Sequence, residues 1–519
     1  MYHTEPQRDL LVFCDKSPRN KLLIGGHPPL TEAPKDTESA RLSPLLNRLP
    51  EYLHHIHLMG ICGTGMASLA GMLKDGGYLI SGSDQNIYPP MSLFLESLAI
   101  PVFNGYSPDN LHPEPDLVIV GNVITKINPE AVELSSLGLP YLSFPQAIRQ
   151  FALKGKQSIV ISGTHGKTTT SALIAWMLEK AGMDPGFMIG GIPRNFEKNF
   201  KSGKGPYFVI EGDEYDTAFF DKVPKFIHYN PWVTILTSIE FDHADIYRDI
   251  DHVIESFRKL IHLIPKNGLL IANGDDEIVT KESRGAGCRT ETYGFSETSR
   301  WRATDMAVEA ASTQLTILTG GEAIPFSTAL YGRHNIANLL AAVVLGRFLD
   351  IPWTIIEEAA LTFKGVKRRQ EIIGEPKGIL VLDDFAHHPT AVRETIAAVK
   401  NKYRGRRLIA VFEPRSNSSR RKIFQDRYSR SFDAADLILI PEPPLMEGIP
   451  VDDRFSSKQL VSDLSQRGLA ASYYETTDRL LEALLREARS QDVVLMMSNG
   501  GFDHIHQRFI DALEQRSNP

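Results

Sequence analysis

Short runs of β-branched and aliphatic residues, each followed by a stretch with helical periodicity, recur along the chain after residue 53. This alternation is typical of parallel α/β units, in which helices connect buried strands. The runs fall into three blocks, and no repeat of fixed period is present. The pattern therefore predicts an α/β protein of three domains.

The predicted strands end in glycine or polar residues, as expected where ligands bind at the carboxyl edge of a parallel sheet. In the first block, residues 51–150, they lie at 56–59, 78–80 and 117–120. In the second block, residues 151–365, they lie at 158–161, 207–210, 233–239 and 269–272, with a helix at 168–181. In the third block, residues 366–519, they lie at 379–382, 408–412, 437–440 and 493–497. The first and third blocks are thus predicted to be Rossmann-like domains around a larger central one.

Residues 1–50 do not follow this pattern. Pro28, Pro29 and Pro34 interrupt any periodicity, and no basic segment followed by an apolar one precedes a cleavage site. We therefore expect a loosely ordered N-terminal extension and no secretion signal.

Composition narrows the class of protein. The chain has 519 residues and a net charge of -7, without the basic excess of a nucleic-acid-binding protein. No apolar run approaches the ~20 residues that a membrane helix needs. Cys14, Cys62 and Cys288 form no CxxC pair, which argues against a disulfide framework or a zinc site. We expect a cytoplasmic protein that binds small molecules, with no nucleic acid and no membrane insertion.

The clearest chemical signal is a glycine-rich loop between the strand at 158–161 and the next helix, reading Ser-Gly-Thr-His-Gly-Lys-Thr-Thr-Thr. Glycines let successive backbone N–H groups point at phosphate oxygens, and the helix dipole adds to this. Lys167 can neutralise the β- and γ-phosphates, and the Thr168 hydroxyl can hold Mg²⁺. Ile161 replaces the first glycine of the general P-loop pattern, so the loop is a variant. The predicted ATP-binding residues here are Gly163, Thr164, His165, Gly166, Lys167, Thr168 and Thr169.

A second glycine-rich loop, Gly-Ile-Cys-Gly-Thr-Gly at 60–65, follows the first predicted strand. Its glycines allow a diphosphate to approach a helix N-terminus, and Asp84 closes the next strand where an acidic residue would reach a ribose hydroxyl. The spacing differs from the GxGxxG pattern. The phosphate loop in the next domain favours a nucleotide-linked substrate over NAD, while a nicotinamide oxidoreductase and a ligand-free turn remain open.

Two acidic clusters follow strands in the block of the phosphate loop, Glu-Gly-Asp-Glu-Tyr-Asp at 211–216 and Glu-Phe-Asp-His-Ala-Asp at 240–245. The carboxyl ends of parallel strands meet at one edge, so both clusters are expected to face one crevice. Mg²⁺ prefers carboxylate and phosphate oxygens and occasionally accepts imidazole. Glu211 and His243 are therefore candidate ligands for one or two ions beside ATP.

Three segments together resemble the Mur ligase family: the loop at 163–168, Tyr-Gly-Arg-His-Asn-Ile-Ala-Asn at 331–338, and Asp-Asp-Phe-Ala-His-His-Pro at 383–389. They occur in the order in which the family carries them, and the resemblance covers residue 53 to the C-terminus. It implies three domains, the central one of P-loop ATPase type. It also implies an ATP-dependent ligase of peptidoglycan metabolism, which activates a carboxylate as an acyl phosphate and joins it to an amine.

The resemblance assigns roles to individual residues. The implied catalytic residues are Lys167, Glu211 and His243, and the implied magnesium ligands are Thr168, Glu211 and His243. Those implied for the UDP part of a substrate are Gly63, Thr64, Gly65 and Asp84. Asn335 would bind adenine, and the residues that would close the third domain over ATP are Arg369 and Asp384. The candidate residues for binding the acceptor are Arg415, Ser416 and Asn417, because arginine binds carboxylates bidentately and the incoming peptide carries carboxylates.

The clusters at 211–216, 383–389 and 413–417 most resemble one branch of the family. That branch joins L-alanyl-γ-D-glutamyl-meso-diaminopimelate, the murein tripeptide, to UDP-N-acetylmuramate in peptidoglycan recycling. A ligase that adds L-alanine to UDP-N-acetylmuramate is the nearest alternative, since only the acceptor differs. A P-loop NTPase without ligase activity is a more distant one.

Several members of the family carry a carbamylated lysine that bridges magnesium. Their spacing from His243 places Arg258 at that position, with Lys259 next to it. Arginine cannot be carbamylated in this way, so we expect the modification to be absent, although a shift of one residue in the alignment would restore Lys259.

Overall fold

The computed structural model describes residues 39–88 and 91–515, which lie in one compact unit and form three α/β domains in succession. None of the helices in this part of the chain is long and apolar enough to span a bilayer.

The first domain is a five-stranded parallel sheet surrounded by helices. Its strands are β1 (His55–Met59), β2 (Leu79–Asp84), β3 (Val102–Asn104), β4 (Leu117–Val120) and β5 (Tyr141–Ser143). Its helices are α1 (Thr64–Asp75), α2 (Met91–Ser97), α3 (Pro129–Leu137) and α4 (Phe144–Phe151). The strand order β3-β2-β1-β4-β5, with every pair parallel, is that of a Rossmann-like sheet.

The described part of the N-terminal segment, residues 39–50, packs on this domain. Leu46 contacts an apolar cluster around β4, and Asn47 Nδ2 donates a hydrogen bond to Gln146 Oε1 at 2.9 Å. Residues 39–50, the last twelve of the predicted extension (50 − 39 + 1), are therefore packed on the first domain and are not loosely ordered. The remainder of that extension lies outside the described residues.

The central domain is built on a ten-stranded sheet. Its strands are β6 (Gln157–Ser162), β7 (Gly186–Met188), β8 (Phe200–Lys201), β9 (Tyr207–Gly212), β12 (Pro231–Leu236), β13 (Leu269–Asn273), β14 (Arg289–Gly294), β15 (Trp301–Val308), β16 (Thr313–Thr319) and β17 (Glu322–Thr328), with a separate hairpin of β10 (Asp216–Ala218) and β11 (Asp221–Pro224). Its helices are α5 (Lys167–Lys180), α6 (Ile250–Leu263), α7 (Glu277–Ser283), α8 (Arg333–Phe348) and α9 (Trp353–Thr362).

The order of the central sheet positions the phosphate loop. The strands run β17-β16-β15-β14-β13-β12-β6-β9-β7-β8, parallel from β15 to β7 and antiparallel at both ends. β6 lies between β9 and β12, and the two acidic clusters follow these neighbours. The loop after β6 and both clusters therefore meet at the carboxyl edge of the sheet, as predicted from parallel topology.

The third domain has a six-stranded sheet in the order β18-β19-β23-β20-β21-β22, parallel except for β18 at the edge. The strands are β18 (Glu371–Gly374), β19 (Leu380–Asp384), β20 (Leu408–Phe412), β21 (Leu437–Pro441), β22 (Ala471–Tyr474) and β23 (Val493–Met497). The helices are α10 (Pro389–Lys402), α11 (Gln425–Tyr428), α12 (Ser457–Gln466), α13 (Thr477–Glu487) and α14 (Ile505–Gln515).

The predicted α/β fold of three domains is confirmed, with differences in detail: one predicted strand is shorter, and the strands not predicted are β3, β5, β7, β8, β10, β11, β14 to β18 and β22. β12 ends at Leu236, before the predicted end at 239, because Thr237 and Ser238 turn to bond the phosphate loop. β15 to β17 were not predicted. They form an antiparallel extension in which many positions are only partly buried, so it lacks the unbroken apolar runs of the central strands.

The first and central domains share one hydrophobic core, in which side chains of both belong to a single cluster. Phe200 packs edge-on against Phe94 with ring centroids 6.0 Å apart, and Asn199 Nδ2 donates to the buried Ser68 Oγ at 2.7 Å. The third domain has separate cores, to one of which the central domain contributes Phe241.

Candidate active site

The phosphate loop connects β6 to α5 near the middle of the central sheet. Gly163 and Gly166 have φ angles of +128° and +82°, a region that favours glycine. A Cβ atom at Gly163 would lie 2.3 Å from Thr237 Oγ1, and one at Gly166 would lie 2.5 Å from Asn338 Oδ1. Backbone angle and space therefore both require glycine at these two positions.

Residues after β12 hold the loop in place. The N–H of Thr164 donates to Ser238 O, and the N–H of His165 donates to Ser238 Oγ, both at 3.0 Å. Thr237 Oγ1 donates to His165 O at 2.5 Å. The loop is thus organised by the protein itself, which reduces the ordering cost when a nucleotide binds. Sequence reasoning missed Thr237 and Ser238, whose only signal is their polar character directly after an apolar strand.

Lys167, the first residue of α5, is largely but not fully buried beside carboxylates. Its Nζ donates to Gly163 O at 2.5 Å and to Glu214 Oε2 at 3.1 Å. Burial opposes the charged form, but the carboxylate of Glu214 and its acidic neighbours outweigh burial and raise the pKa of Lys167. The side chain is therefore an ammonium ion at neutral pH.

Thr168 and Thr169 follow Lys167 in the first turn of α5. Thr168 Oγ1 donates to Glu211 Oε2 at 3.1 Å, and the N–H of Gly190 donates to Glu211 Oε1 at 2.6 Å. Burial raises the pKa of Glu211 above its ordinary value. A cation beside the phosphate loop would stabilise the ionised form of this carboxylate.

His243 lies beside a different carboxylate. Its Nε2 is 3.3 Å from Glu214 Oε1. Burial opposes protonation of the imidazole, but the hydrogen bond and charge of Glu214 raise the pKa of His243 overall. Ligand atoms of Asp213, Glu214 and His243 lie within 4.8 Å of one another, close enough to share one cation. Sequence reasoning named Glu211 in this cluster and passed over Glu214, which contacts both Lys167 and His243.

A second polar group joins the central and third domains. His165 Nε2 lies 3.3 Å from Glu240 Oε1, and Arg427 Nη2 donates to Glu240 Oε2 at 2.5 Å. The ring of His388 lies 4.5 Å from that of His165, centroid to centroid, and its Nε2 is 3.3 Å from Phe241 O. Burial lowers the pKa of His388 to about 3, so this imidazole is neutral. The phosphate loop is therefore linked to the third domain through its own histidine.

Asn335, predicted to bind adenine, lies in the first turn of α8. Its Nδ2 donates to Tyr331 O at 3.0 Å and to Gln370 Oε1 at 3.1 Å. Gln370 belongs to the segment that opens the third domain, so Asn335 lies where the two domains meet. Its role in adenine binding stays a prediction.

Arg369 and Asp384 lie on the third-domain side of the same junction. The guanidinium of Arg369 is 4.7 Å from the Phe385 ring centroid. Burial lowers the pKa of Arg369, and Asp384 and the central-domain Glu211 oppose this shift. Asp384 Oδ2 accepts from the N–H of Gln370 at 2.7 Å. The charge of Glu211 thus acts on Arg369 across the domain boundary. The role of Arg369 and Asp384 in closing over ATP stays a prediction.

The glycine-rich loop of the first domain ends at α1, where Gly63 is the N-cap and Thr64 the first helical residue. A Cβ atom at Gly65 would lie 3.1 Å from the Phe144 ring. Asp84 Oδ2 accepts from the N–H of Cys62 at 2.9 Å. The carboxylate therefore shapes this loop, and binding of UDP here stays a prediction.

The predicted acceptor residues lie on the loop after β20. Arg415 and Ser416 contact other side chains of the third domain. Asn417 Nδ2 donates to Asp245 Oδ2 at 3.2 Å, across the domain boundary. This contact brings the loop next to the segment that carries His243.

Arg258 and Lys259 lie on α6 with more than half of each side chain exposed. Arg258 forms a bidentate ion pair with Glu282 at 2.6 and 2.9 Å, and Lys259 Nζ is 3.3 Å from Glu255 Oε1. Their partners are thus on α6 and α7. The absence of a carbamylated lysine stays a prediction.

Replacing Gly166 by alanine is expected to raise the KM for ATP about tenfold, because strain of about 1–3 kcal/mol is introduced where phosphate binds. The added Cβ would meet Asn338 Oδ1 at 2.5 Å. Gly182→Ala is the matched control, since its φ is also positive at +71° but no atom of the described residues lies within 4 Å of the new Cβ. Steady-state kinetics should show an unchanged KM for ATP in Gly182→Ala. Equal KM values in the two variants would show that ATP binding does not depend on glycine at position 166.

Known proteins with similar sequences define the class. The Mur ligase family catalytic domain matches residues 55–156, the Mur ligase middle domain matches 161–346, and the Mur ligase glutamate ligase domain matches 368–500. The UDP-N-acetylmuramate–L-alanyl-gamma-D-glutamyl-meso-2,6-diaminoheptandioate ligase of Escherichia coli (strain K12) is 38% identical over 464 residues, covering 89% of this chain and 99% of that protein. The UDP-N-acetylmuramate–L-alanine ligase of Desulforapulum autotrophicum is 31% identical over 465 residues, with 89% and 99% covered.

A solved structure agrees with these sequence matches. The crystal structure of a murein peptide ligase from Psychrobacter arcticus 273-4 has a TM-score of 0.67 and 34% identity, covering 90% of this chain and all of that one. The chain therefore belongs to the Mur ligase family. The protein is an ATP-dependent ligase of that family, as its motifs predicted.

Proposed function

We propose that this protein joins UDP-N-acetylmuramate to the tripeptide L-alanyl-γ-D-glutamyl-meso-diaminopimelate in peptidoglycan recycling. The observation that carries the proposal is the higher identity to relatives named for this reaction, 38% and 37% over 89% of the chain. Relatives named for L-alanine addition are 30% to 32% identical. The use of ATP also supports the cytoplasmic location predicted from the cysteine pattern.

Charge explains the first half of the reaction. The lactyl carboxylate of UDP-N-acetylmuramate is a poor electrophile, and attack on the γ-phosphate of ATP converts it into an acyl phosphate and releases ADP. Negative charge on the transferring phosphoryl group must be neutralised in the transition state. The ammonium of Lys167, held between Gly163 O and Glu214, is the group of this chain best placed to do so.

The donors around the phosphate loop fit magnesium. Thr168 and Glu211 offer two oxygen ligands, and His243 with Glu214 offers a second set. Carboxylate and hydroxyl oxygens next to a phosphate site suit Mg²⁺, which keeps water and phosphate as its other ligands. When bound, the ion supplies neutralising charge and orientation for the phosphates.

The acceptor amine then attacks the acyl carbon, and the tetrahedral intermediate expels phosphate to leave the new amide. Water would hydrolyse the acyl phosphate, so the site must be covered during this step. Contacts of Gln370 with Asn335, and of Arg427 with Glu240, are among those that hold the third domain against the central one and would keep this site covered.

Mass spectrometry of products from UDP-N-acetylmuramate, ATP, Mg²⁺ and a panel of amines tests the proposal. We expect an amide product with the tripeptide and one phosphate released per amide. Product with L-alanine but none with the tripeptide would assign the chain to the other branch. Phosphate release without any amide would indicate an NTPase.

A further inference from the structure

We infer that Arg420 is a second carboxylate-binding residue of the acceptor site, beside Arg415, and that it selects a peptide with several carboxylates over a single amino acid. This inference rests on the proposed function, since it concerns the acceptor of that reaction.

The first observation is an imbalance of charge in the loop after β20. Arg421 is paired with Asp453, and Arg415 has Glu413 Oε1 at 3.5 Å from its Nη1. Within residues 39–88 and 91–515, no carboxylate oxygen lies within 4.0 Å of Arg420. Burial and the neighbouring guanidinium groups of Arg415 and Arg421 lower the pKa of Arg420. An anion bound there would relieve this repulsion.

The second observation is that Arg420 is fixed in orientation and still has free donors. Its Nε donates to Ser416 O at 3.4 Å, its Nη2 donates to Asn417 Oδ1 at 2.8 Å, and its Nη1 donates to Leu445 O. A guanidinium has five N–H donors. These three bonds leave one N–H on each terminal nitrogen, which is what a carboxylate accepts bidentately. Since the loop already orders the side chain, little rotamer entropy is lost on binding.

The third observation is position. Asn417 accepts from Arg420 through its Oδ1 and donates to Asp245 through its Nδ2, so one side chain links the arginine to the central domain. Asp245 follows His243 by two residues. Arg420 is therefore connected through Asn417 to the segment of the central domain that carries His243.

The fourth observation concerns Arg415 itself. A Cβ atom at Gly500 would lie 2.1 Å from Arg415 Cδ, so the arginine side chain lies directly against the glycine backbone. This packing restricts the Arg415 side chain to one conformation. A second carboxylate of the acceptor would therefore need another cation.

Acceptor chemistry explains why two guanidinium groups are needed. L-alanine carries one carboxylate, for which Arg415 suffices. The tripeptide carries three, and the loop that would receive it contacts Asp245 of the central domain through Asn417. A second guanidinium would offset repulsion between Asp245 and the additional carboxylates of the peptide. Arg420 therefore determines specificity.

The test is a double-mutant cycle between the protein and the acceptor. Wild type and Arg420→Gln are assayed for amide formation with the tripeptide and with three analogues, each amidated at one carboxylate. We expect Arg420→Gln to raise the KM for the tripeptide about tenfold to a hundredfold with little change in kcat. For one analogue, the KM of wild type should already be raised by the factor that Arg420→Gln causes with the tripeptide. Arg420→Gln should then raise the KM for that analogue no further.

A purely structural role for Arg420 gives a different result. Disorder of the loop would lower activity by the same factor with every acceptor, and such uniform loss overturns the inference. Arg420→Lys keeps the charge without the planar fork, so an intermediate KM is expected. Arg430→Gln, an exposed arginine of the same domain, is the matched control and should leave KM unchanged.

The two proposals fail in distinguishable ways. If wild type forms no amide with the tripeptide, the proposed function is wrong. If wild type forms it and no analogue couples to Arg420→Gln, only the assignment of Arg420 is wrong.

Discussion

Lys167→Ala is expected to lower kcat about a thousandfold, the largest effect of any single substitution considered for this protein. The change removes the partly buried ammonium that contacts Gly163 O and Glu214 Oε2. It leaves the carboxylate of Glu214 without its ammonium partner, next to incoming phosphate. Release of phosphate and formation of the amide, measured in the same reaction, should fall together.

Lys180→Ala is the control for this experiment. Lys180 is the last residue of the same helix and pairs with Glu358 at the surface. Exposed ion pairs contribute about 0–1 kcal/mol to stability, so turnover should stay within about twofold of wild type. Full amide-forming turnover in Lys167→Ala would remove the basis for placing ATP at this loop.

Glu211→Gln is expected to lower kcat about a hundredfold and to raise the Mg²⁺ concentration needed for half-maximal activity. Glutamine preserves the shape of the side chain and can still accept from the N–H of Gly190. It removes the negative charge that a cation beside Thr168 would neutralise. A magnesium titration at saturating ATP measures both effects.

Glu179→Gln provides the comparison, because Glu179 is a carboxylate of α5 whose partner is Lys201 at 2.6 Å. Its magnesium dependence should match that of wild type. A reduced kcat in Glu211→Gln without any change in magnesium dependence would show that Glu211 only positions Thr168 and Gly190.

The fold and the phosphate loop could be predicted from sequence because their signals are local. β4 and β20 are buried at every position, so an unbroken apolar run identifies each of them. The phosphate loop is likewise one continuous segment between a strand and a helix.

The choice among neighbouring carboxylates could not be made in the same way. The run at 211–216 carries several acidic residues, and sequence alone does not show which one faces the lysine. In the structure Glu211 lies within β9, opposite Ile161, while Glu214 lies beyond the strand end and contacts Lys167. Strand register decides between them.

Contacts between distant segments were also beyond sequence reasoning. Thr237 bonds the phosphate loop from 72 residues away, and Asn335 meets Gln370 across the domain boundary. Arg420 belongs to the same class, since the absence of an acidic partner for it among the described residues is visible only once the surrounding loops are in place.

The core shared by the first two domains has a kinetic consequence. Separating the two domains would expose apolar surface, at a free-energy cost of roughly 25 cal/mol per Å². They therefore move together as one rigid platform. The third domain has cores of its own, with Phe241 of the central domain packed against one of them, so it separates from that platform mainly by exchanging hydrogen bonds for water. The activated sugar acid is therefore expected to form on the fixed part of the enzyme. The loop that carries Arg415 and Arg420 belongs to the third domain, which moves. The acceptor amine therefore reaches the site last, and the acyl phosphate is protected from water until the amine binds.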